Sequence, residues 1–424
     1  MTQTYTGALP QLTEGLDYDY LWHTYGRLPV EFVKGQGATL TDAAGNVYLD
    51  FLAGIGAVSC GHAHPALVSA LTEQAKKLWQ VGNYYHIEHR GELAHKVSDL
   101  LSCTCDNQGN ITGSTGSVFK VFFSNSGAES NEGAIKLARR WGEKNLGGAH
   151  TILTAQRSFH GRTLATLSAT GQDVFHQSFL PMPEGFDFVP LNDIAALKAR
   201  LEDLTEGETH LAPCAIMLEC IQGESGVYPA TETYLKAVRE LCDSLGLLLI
   251  IDEVQTGFFR CGAPFCYQLS GIEPDVVSMA KGIGSGFPMG AVAAKSEVAD
   301  LMQPGDHGST FGGNPLAAAA GLAAVTVLEE EHLGNNAIAT GSHLARRLAD
   351  LPHVKEVRGA GLMRAAEFDL PIATRLVEQG LGRGLVLNHI GENILRFLPP
   401  LVVSAAQVDE MADTLTELIC DLCG

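Results

Sequence analysis

A lysine that closes a buried strand and opens onto glycines has the setting that imine chemistry requires. Lys281 ends the run Asp275-Val276-Val277-Ser278-Met279-Ala280-Lys281 and is followed by Gly282-Ile283-Gly284-Ser285-Gly286, so an apolar strand delivers one amine into a glycine-lined turn. Twenty-nine residues earlier, the apolar run 247–251 ends in the same way on Asp252. An amine and a carboxylate at two strand ends suit a single cofactor ring. The amine holds the cofactor as an imine and carries protons, while the carboxylate keeps a pyridinium nitrogen protonated so that the ring draws electrons from a substrate carbon. The pair points to pyridoxal 5'-phosphate. Glu253, adjacent to Asp252, would face the opposite way on a strand.

A phosphate needs its own cradle. Ser124-Asn125-Ser126-Gly127-Ala128-Glu129 lies between a strand ending at Phe123 and a helix, so its backbone N–H groups can point at an anion at the positive helix end. Such a turn is by itself more often a plain helix cap, and the strand-end lysine and aspartate are what favour the phosphate. In Ser158-Phe159-His160-Gly161-Arg162-Thr163, Arg162 offers a planar fork for a carboxylate and Phe159 a ring to stack on the cofactor. His62, His64, His86 and His89 lack a carboxylate or cysteine set to complete a metal site, so no metal is expected. The Cys420/Cys423 pair reads as one face of a terminal helix.

The elements that must position these groups follow an α/β pattern. Apolar strand runs at 118–123, 151–154, 215–218, 247–251, 276–279 and 290–294 alternate with helical segments such as 130–144 and 231–244, which predicts a parallel sheet with crossover helices. A hairpin is expected over 38–50. Beyond residue 314 come helices over 315–331 and 336–351, a strand pattern over 354–368 and a final amphipathic helix over 405–422. The expected division is an N-terminal segment, 1–70, that joins a small domain, a large domain, 71–316, and a C-terminal part of the small domain, 317–424. A chain of 424 residues with 46% hydrophobic and 18% charged residues suits a well-packed enzyme. Its formal charge of −20 argues against a nucleic-acid or anionic-membrane partner. Residues 1–20 show neither a signal nor a transit pattern, and apolar runs are too short to span a bilayer, so a cytoplasmic protein is expected.

The ordered motifs resemble the class III pyridoxal-phosphate-dependent aminotransferases from about Pro29 to Leu418. They are Phe51-Leu52-Ala53-Gly54-Ile55-Gly56, Asn125-Ser126-Gly127-Ala128-Glu129, the Phe159 to Thr163 segment, Ile251-Asp252-Glu253-Val254-Gln255-Thr256-Gly257, Ala280-Lys281-Gly282 and Gly305-Asp306-His307-Gly308-Ser309-Thr310-Phe311-Gly312-Gly313-Asn314-Pro315. The resemblance implies a fold type I transferase, with a large, mostly parallel seven-stranded sheet domain and a smaller α+β domain built from the two chain ends. It implies that Lys281 carries the cofactor, Asp252 pairs the ring nitrogen, Gln255 lies near the ring hydroxyl and Phe159 stacks on the ring. Ser126, Gly127 and Ala128 would meet the phosphate, and Thr310 would reach the phosphate in a neighbouring subunit, which makes the protein a homodimer with shared sites.

For substrates, the resemblance implies that Arg162 and Arg396 bind carboxylates and that Glu224 covers Arg396 while the ω-amine donor is bound. Tyr25, Ile55 and Ser309 complete the substrate set. The last motif and Arg396-Phe397-Leu398-Pro399-Pro400-Leu401 point to transfer of the ω-amine of N2-acetyl-L-ornithine to 2-oxoglutarate. Ornithine, succinylornithine, succinyldiaminopimelate and 4-aminobutyrate are the alternative donors, and a non-catalytic binding module is the remote one. Ile55 stands where ornithine-specific relatives carry a larger aromatic. Cys220 and Cys261 depart from the family pattern without removing a chemical group the reaction needs.

Overall fold

The computed structural model describes residues 11–206 and 211–423. Its centre is set by strands that are apolar at successive positions, which a sheet tolerates only when both faces are covered. In Thr151–Ala155, Pro213–Glu219 and Leu248–Asp252 every residue is buried. Seven strands make this sheet: β1 Phe119–Ser124, β2 Thr151–Ala155, β3 Phe186–Val189, β4 Pro213–Glu219, β5 Leu248–Asp252, β6 Val276–Met279 and β7 Gly290–Lys295, in the order β1-β7-β6-β5-β4-β2-β3. Only β7 runs against its neighbours; the remaining pairs are parallel. Side chains alternate between two apolar clusters. Leu248 and Ile250 pack on one face with Ala134 and Ile135, whereas Leu249 and Ile251 pack on the other, in a cluster that continues to Leu395, Phe397 and Met411.

Six of the seven strands are visible as apolar runs in the sequence. The seventh, β3, is an edge strand of three half-buried residues and the buried Val189, interrupted by Asp187, so it carries no such run. The helix expected over 130–144 spans Gly127–Asn145, called α1. Its first turn has no core-facing apolar residue, and periodicity therefore starts a turn late. Thr231 caps the helix Glu232–Leu245, and the helix expected over 336–351 is Leu333–Ala349.

The 354–368 pattern is two strands, β8 Val354–Ala360 and β9 Met363–Phe368, reversed at Gly361 with φ +52°. With β10 Asn388–Ile390 and β11 Ile394–Phe397 they form a second sheet in the order β8-β9-β11-β10. Near the start of the chain, Phe32–Gln36, Thr39–Asp42 and Val47–Asp50 form an antiparallel meander, and Leu385–Val386 adds to it in parallel. The two ends of the chain thus share one sheet.

The stretch 1–20 is described only from Gln11 onward. Among the described residues no helix is long and apolar enough to cross a membrane, and no cluster of His, Cys, Asp or Glu is arranged to hold a metal. All ten cysteines are free, with Cys420 and Cys423 exposed on the helix Ala405–Cys423. For function, the decisive feature is register: Glu219 on β4, Asp252 on β5 and Ser278 on β6 stand side by side at the carboxyl ends of three parallel strands, the edge of an open α/β sheet where ligands bind.

Candidate active site

Just beyond this row of strand ends, Lys281 opens a short helical turn, Lys281–Ile283, with φ +48°. That backbone region is uncommon outside glycine and is held here by its surroundings. A Cβ on Gly282 would lie 2.8 Å from Phe258 Cβ, so only glycine lets the turn lie this close. Burial draws the Lys281 pKa below the ordinary lysine value, against the opposing pull of Glu224 and Asp252. An amine with a lowered pKa is more often uncharged and hence more nucleophilic. Lys281 lines a cavity of about 390 Å³ together with Ser126, Gly127, Ala128, Phe159, Arg162, Asp252 and Gln255.

Asp252 is held from three sides. Its Oδ2 accepts from Asn131 Nδ2 at 2.8 Å and lies 2.9 Å from His160 Nδ1, and its Oδ1 accepts from Val254 N at 3.0 Å. Asn131 Nδ2 also donates to His160 O at 2.7 Å, which fixes the imidazole and the carboxylate together. With the proton on Nδ1, His160 donates to Asp252. Neither His160 nor Asn131 stands out in the sequence. Glu219 does not either, although it closes an apolar strand as Asp252 does, and that was the available signal. Its Oε2 accepts from Phe159 N at 3.0 Å and its Oε1 from Gly223 N at 3.2 Å. Burial pushes its pKa up to about 7, against the pull of His160. Glu219 thereby ties the Phe159 loop to the segment that carries Glu224.

The start of α1 supplies donors. Ser126 caps it, its Oγ accepting from Glu129 N at 3.2 Å, and Glu129 Oε2 accepts from Asn125 N and Nδ2, both at 2.7 Å. The N–H groups of Gly127 and Ala128 fall in the first turn, where no intrahelical acceptor exists. A Cβ on Gly127 would lie 2.8 Å from Val254 Cγ1, so a glycine is needed for α1 to start this close to the β5 end.

Two arginines face different situations. The Arg162 guanidinium lies 4.0 Å from the centre of the Phe175 ring and 5.2 Å from that of Phe159. Among the described residues it makes no ion pair, so its fork is open to a carboxylate. Phe175 lies outside every motif read from the sequence. Arg396, on β11, is 3% exposed; its Nη1 donates to Glu224 Oε1 at 2.8 Å and Gly223 O at 3.1 Å, and its Nε to Asn388 Oδ1 at 2.9 Å. Gln255 Nε2 also donates to Glu224 Oε1, at 2.9 Å. Burial alone would raise the Glu224 pKa, but the charge and hydrogen bond of Arg396 outweigh it and hold the carboxyl below its ordinary value.

The other predicted residues lie outside this cavity. Tyr25 is 77% exposed and Ile55 41% exposed. Ile55 sits in a left-handed run, Ala53 to Gly56, with φ from +49° to +73°, just before Ala57 of the cavity wall. Ser309 and Thr310 line a second cavity of about 840 Å³, and Asn125 Nδ2 joins the two by donating to Ser309 Oγ at 3.2 Å.

The groups fit the cofactor read from the sequence: a carboxylate oriented for a ring N–H, helix-start amides for a phosphate and an amine for a carbonyl. Gln255 Oε1 adds a buried acceptor with no donor among the described residues.

Residues 20–419 match the family model Aminotransferase class-III. The chain is similar to the acetylornithine aminotransferase of Caldanaerobacter subterraneus, with 45% identity over 408 residues that cover 95% of this chain and 98% of the relative. Among solved structures it is similar to the ornithine aminotransferase of Toxoplasma gondii, seen with partial occupancy of PLP at its active site, at TM-score 0.86 and 30% identity, covering 97% of this chain and 94% of that one. It is also similar to the acetylornithine aminotransferase of Elizabethkingia anophelis, at TM-score 0.80 and 32% identity, covering 97% and 99%.

Proposed function

Because the chain belongs to the class-III aminotransferase family, we propose that it transfers the ω-amino group of N2-acetyl-L-ornithine to 2-oxoglutarate, giving N-acetylglutamate 5-semialdehyde and glutamate, with pyridoxal 5'-phosphate as cofactor. The near full-length likeness to enzymes named acetylornithine aminotransferase supports the donor and a place in arginine biosynthesis. The observation that carries the chemistry is the 2.8 Å pair of Glu224 with Arg396 beside a cavity in which Arg162 makes no ion pair among the described residues.

When bound, pyridoxal phosphate supplies the carbonyl that takes up the amino group and the cationic ring that draws electrons from the reacting carbon. Lys281 Nζ would hold the cofactor covalently and, once released, would move the proton from the carbon that bears the substrate amine. Asp252, oriented by Asn131 and His160, pairs the ring nitrogen. Gly127 and Ala128 with Ser126 would hold the phosphate, Gln255 would lie near the ring hydroxyl, and Phe159 would stack on the ring.

Two substrates with differently placed carboxylates use one cavity. Arg162 takes the α-carboxylate of acetylornithine and later the side-chain carboxylate of glutamate. Arg396 takes the α-carboxylate of glutamate only, and Glu224 neutralises it while the ω-amine donor is present. Ile55, Tyr25 and Ser309 lie outside the cavity of a single chain and would join the substrate surroundings in the assembled homodimer. We place the protein as a cytoplasmic homodimer whose Thr310 reaches the partner subunit's phosphate. Large aromatic side chains left exposed on one chain, among them Trp22 and Tyr84 at 86% and 97%, support a covered face.

The test is a single-turnover comparison of the yellow holoprotein with N-acetylornithine, ornithine, succinylornithine, succinyldiaminopimelate and 4-aminobutyrate, followed by the loss of the yellow absorbance. N-acetylornithine is expected to give the highest rate over dissociation constant. A higher value for another donor would overturn the assignment while leaving the transaminase reading intact.

A further inference from the structure

Glu224 sits on a short hairpin, Ile221–Gln222 paired with Tyr228–Pro229, and the turn of this hairpin is gripped from both sides. The two carbonyls that follow Glu224 each accept from an arginine. Arg157, just beyond β2, donates from Nη2 to Ser225 O at 3.1 Å. Arg358, on β8, donates from Nε and Nη2 to Gly226 O at 3.1 and 3.0 Å. Both guanidinium carbons lie 4.2 Å from the centre of the Tyr228 ring in the returning strand. Arg358 is itself fixed, its Nη1 donating to Glu356 and Glu367, each at 2.6 Å. Gly226, with φ +125°, leaves no space: a Cβ there would lie 2.9 Å from both Ile394 Cδ1 and Tyr228 Cε2.

We propose that Arg157 and Arg358, closed around Tyr228, are positioning residues for the choice between the two substrates. Hydrogen bonds from charged donors to carbonyls are among the stronger ones in proteins, and here they come from the central sheet on one side and the β8–β11 sheet on the other. They hold the backbone at 225 and 226 still. Glu224 therefore exchanges its partner by side-chain rotation, and its carboxylate returns in register with Arg396 and Gln255. With the clasp loosened, Glu224 leaves Arg396 more often. Arg396 then stands uncovered when the ω-amine donor binds, while the glutamate half-reaction, which needs it uncovered, is spared. The inference rests on the reading of Glu224 as the cover of Arg396.

The test uses holoprotein variants Arg157→Met, at an exposed position, and Arg358→Lys, which keeps the charge but loses the forked grip. Single-turnover rates over dissociation constants are measured with N-acetylornithine and with glutamate. The ratio of the first to the second is expected to fall about fivefold in each variant, and Arg157→Lys is expected to recover part of it. Equal losses in both half-reactions, or ratios within about twofold of the parent, would overturn the clasp. Glu224→Gln separates the two claims. If it shifts the ratio and the arginine variants do not, the cover stands and the clasp is wrong; if it leaves the ratio unchanged, both fall.

Discussion

Lys281, Asp252 and Glu219 show how neighbouring titratable groups at one sheet edge are given different tasks by their surroundings. Lys281 is shifted downward by burial, and Asp252 accepts three contacts that orient it. Glu219, in register beside Asp252, is shifted upward by burial to about 7 from an ordinary 4.5. The folded state binds the Glu219 proton more tightly than the unfolded chain, so this group favours folding below about pH 4.5, and the contribution is lost as pH rises through 7. In the cofactor-free protein, Glu219→Gln is expected to flatten the decline in unfolding free energy over this window, by up to about 3 kcal/mol. Glu253 is shifted to about 7 as well, but it is common to both proteins and cancels. Thermal melts across the window would count against this account if the two slopes coincide.

Residues of this kind were unequally legible. A lysine and an aspartate at strand ends announce themselves because apolar runs lead into them. His160 and Asn131 do not, since what makes them matter is a three-way contact between α1, the Phe159 loop and β5 that no local pattern encodes. Phe175 is likewise brought to Arg162 from a segment without periodicity.

At the scale of elements, function depends on how closely α1 approaches the end of β5. Gly127 faces Val254 with no space for a methyl group, and its N–H is one of the donors proposed for the phosphate. Overpacking of this kind costs about 1–3 kcal/mol, so Gly127→Ala is expected to raise the dissociation constant for pyridoxal phosphate about tenfold, and adding Val254→Ala is expected to restore it. Titration of the cofactor-free protein by absorbance checks this, and undiminished affinity in Gly127→Ala would contradict it. The first turn of α1 was also where the sequence pattern misplaced a boundary, because it places no apolar residue toward the core. The buried strands, patterned by the core alone, were read within a residue or two. The edge strand β3 was missed because it is short and Asp187 breaks its apolar run.

At the scale of the whole molecule, one chain presents a cavity holding Lys281 and a second one holding Ser309 and Thr310, joined at Asn125. If sites are shared between subunits, a Lys281→Ala chain and a Thr310→Ala chain repair each other in part. Mixing the two inactive or weakened proteins through an exchange step is expected to return about a quarter of parental activity, because half of the dimers are hybrids with one intact site each. Activity no greater than the mean of the two variants would place Thr310 outside the partner's site.

The most direct test of the whole account follows the nitrogen itself. Holoprotein given N2-acetyl-L-ornithine labelled with 15N at its ω-amine, together with 2-oxoglutarate, is predicted to yield glutamate carrying the label in its amino group, mole for mole with the aldehyde formed. Label recovered as free ammonium, or retained in the donor while glutamate stays unlabelled, would contradict it.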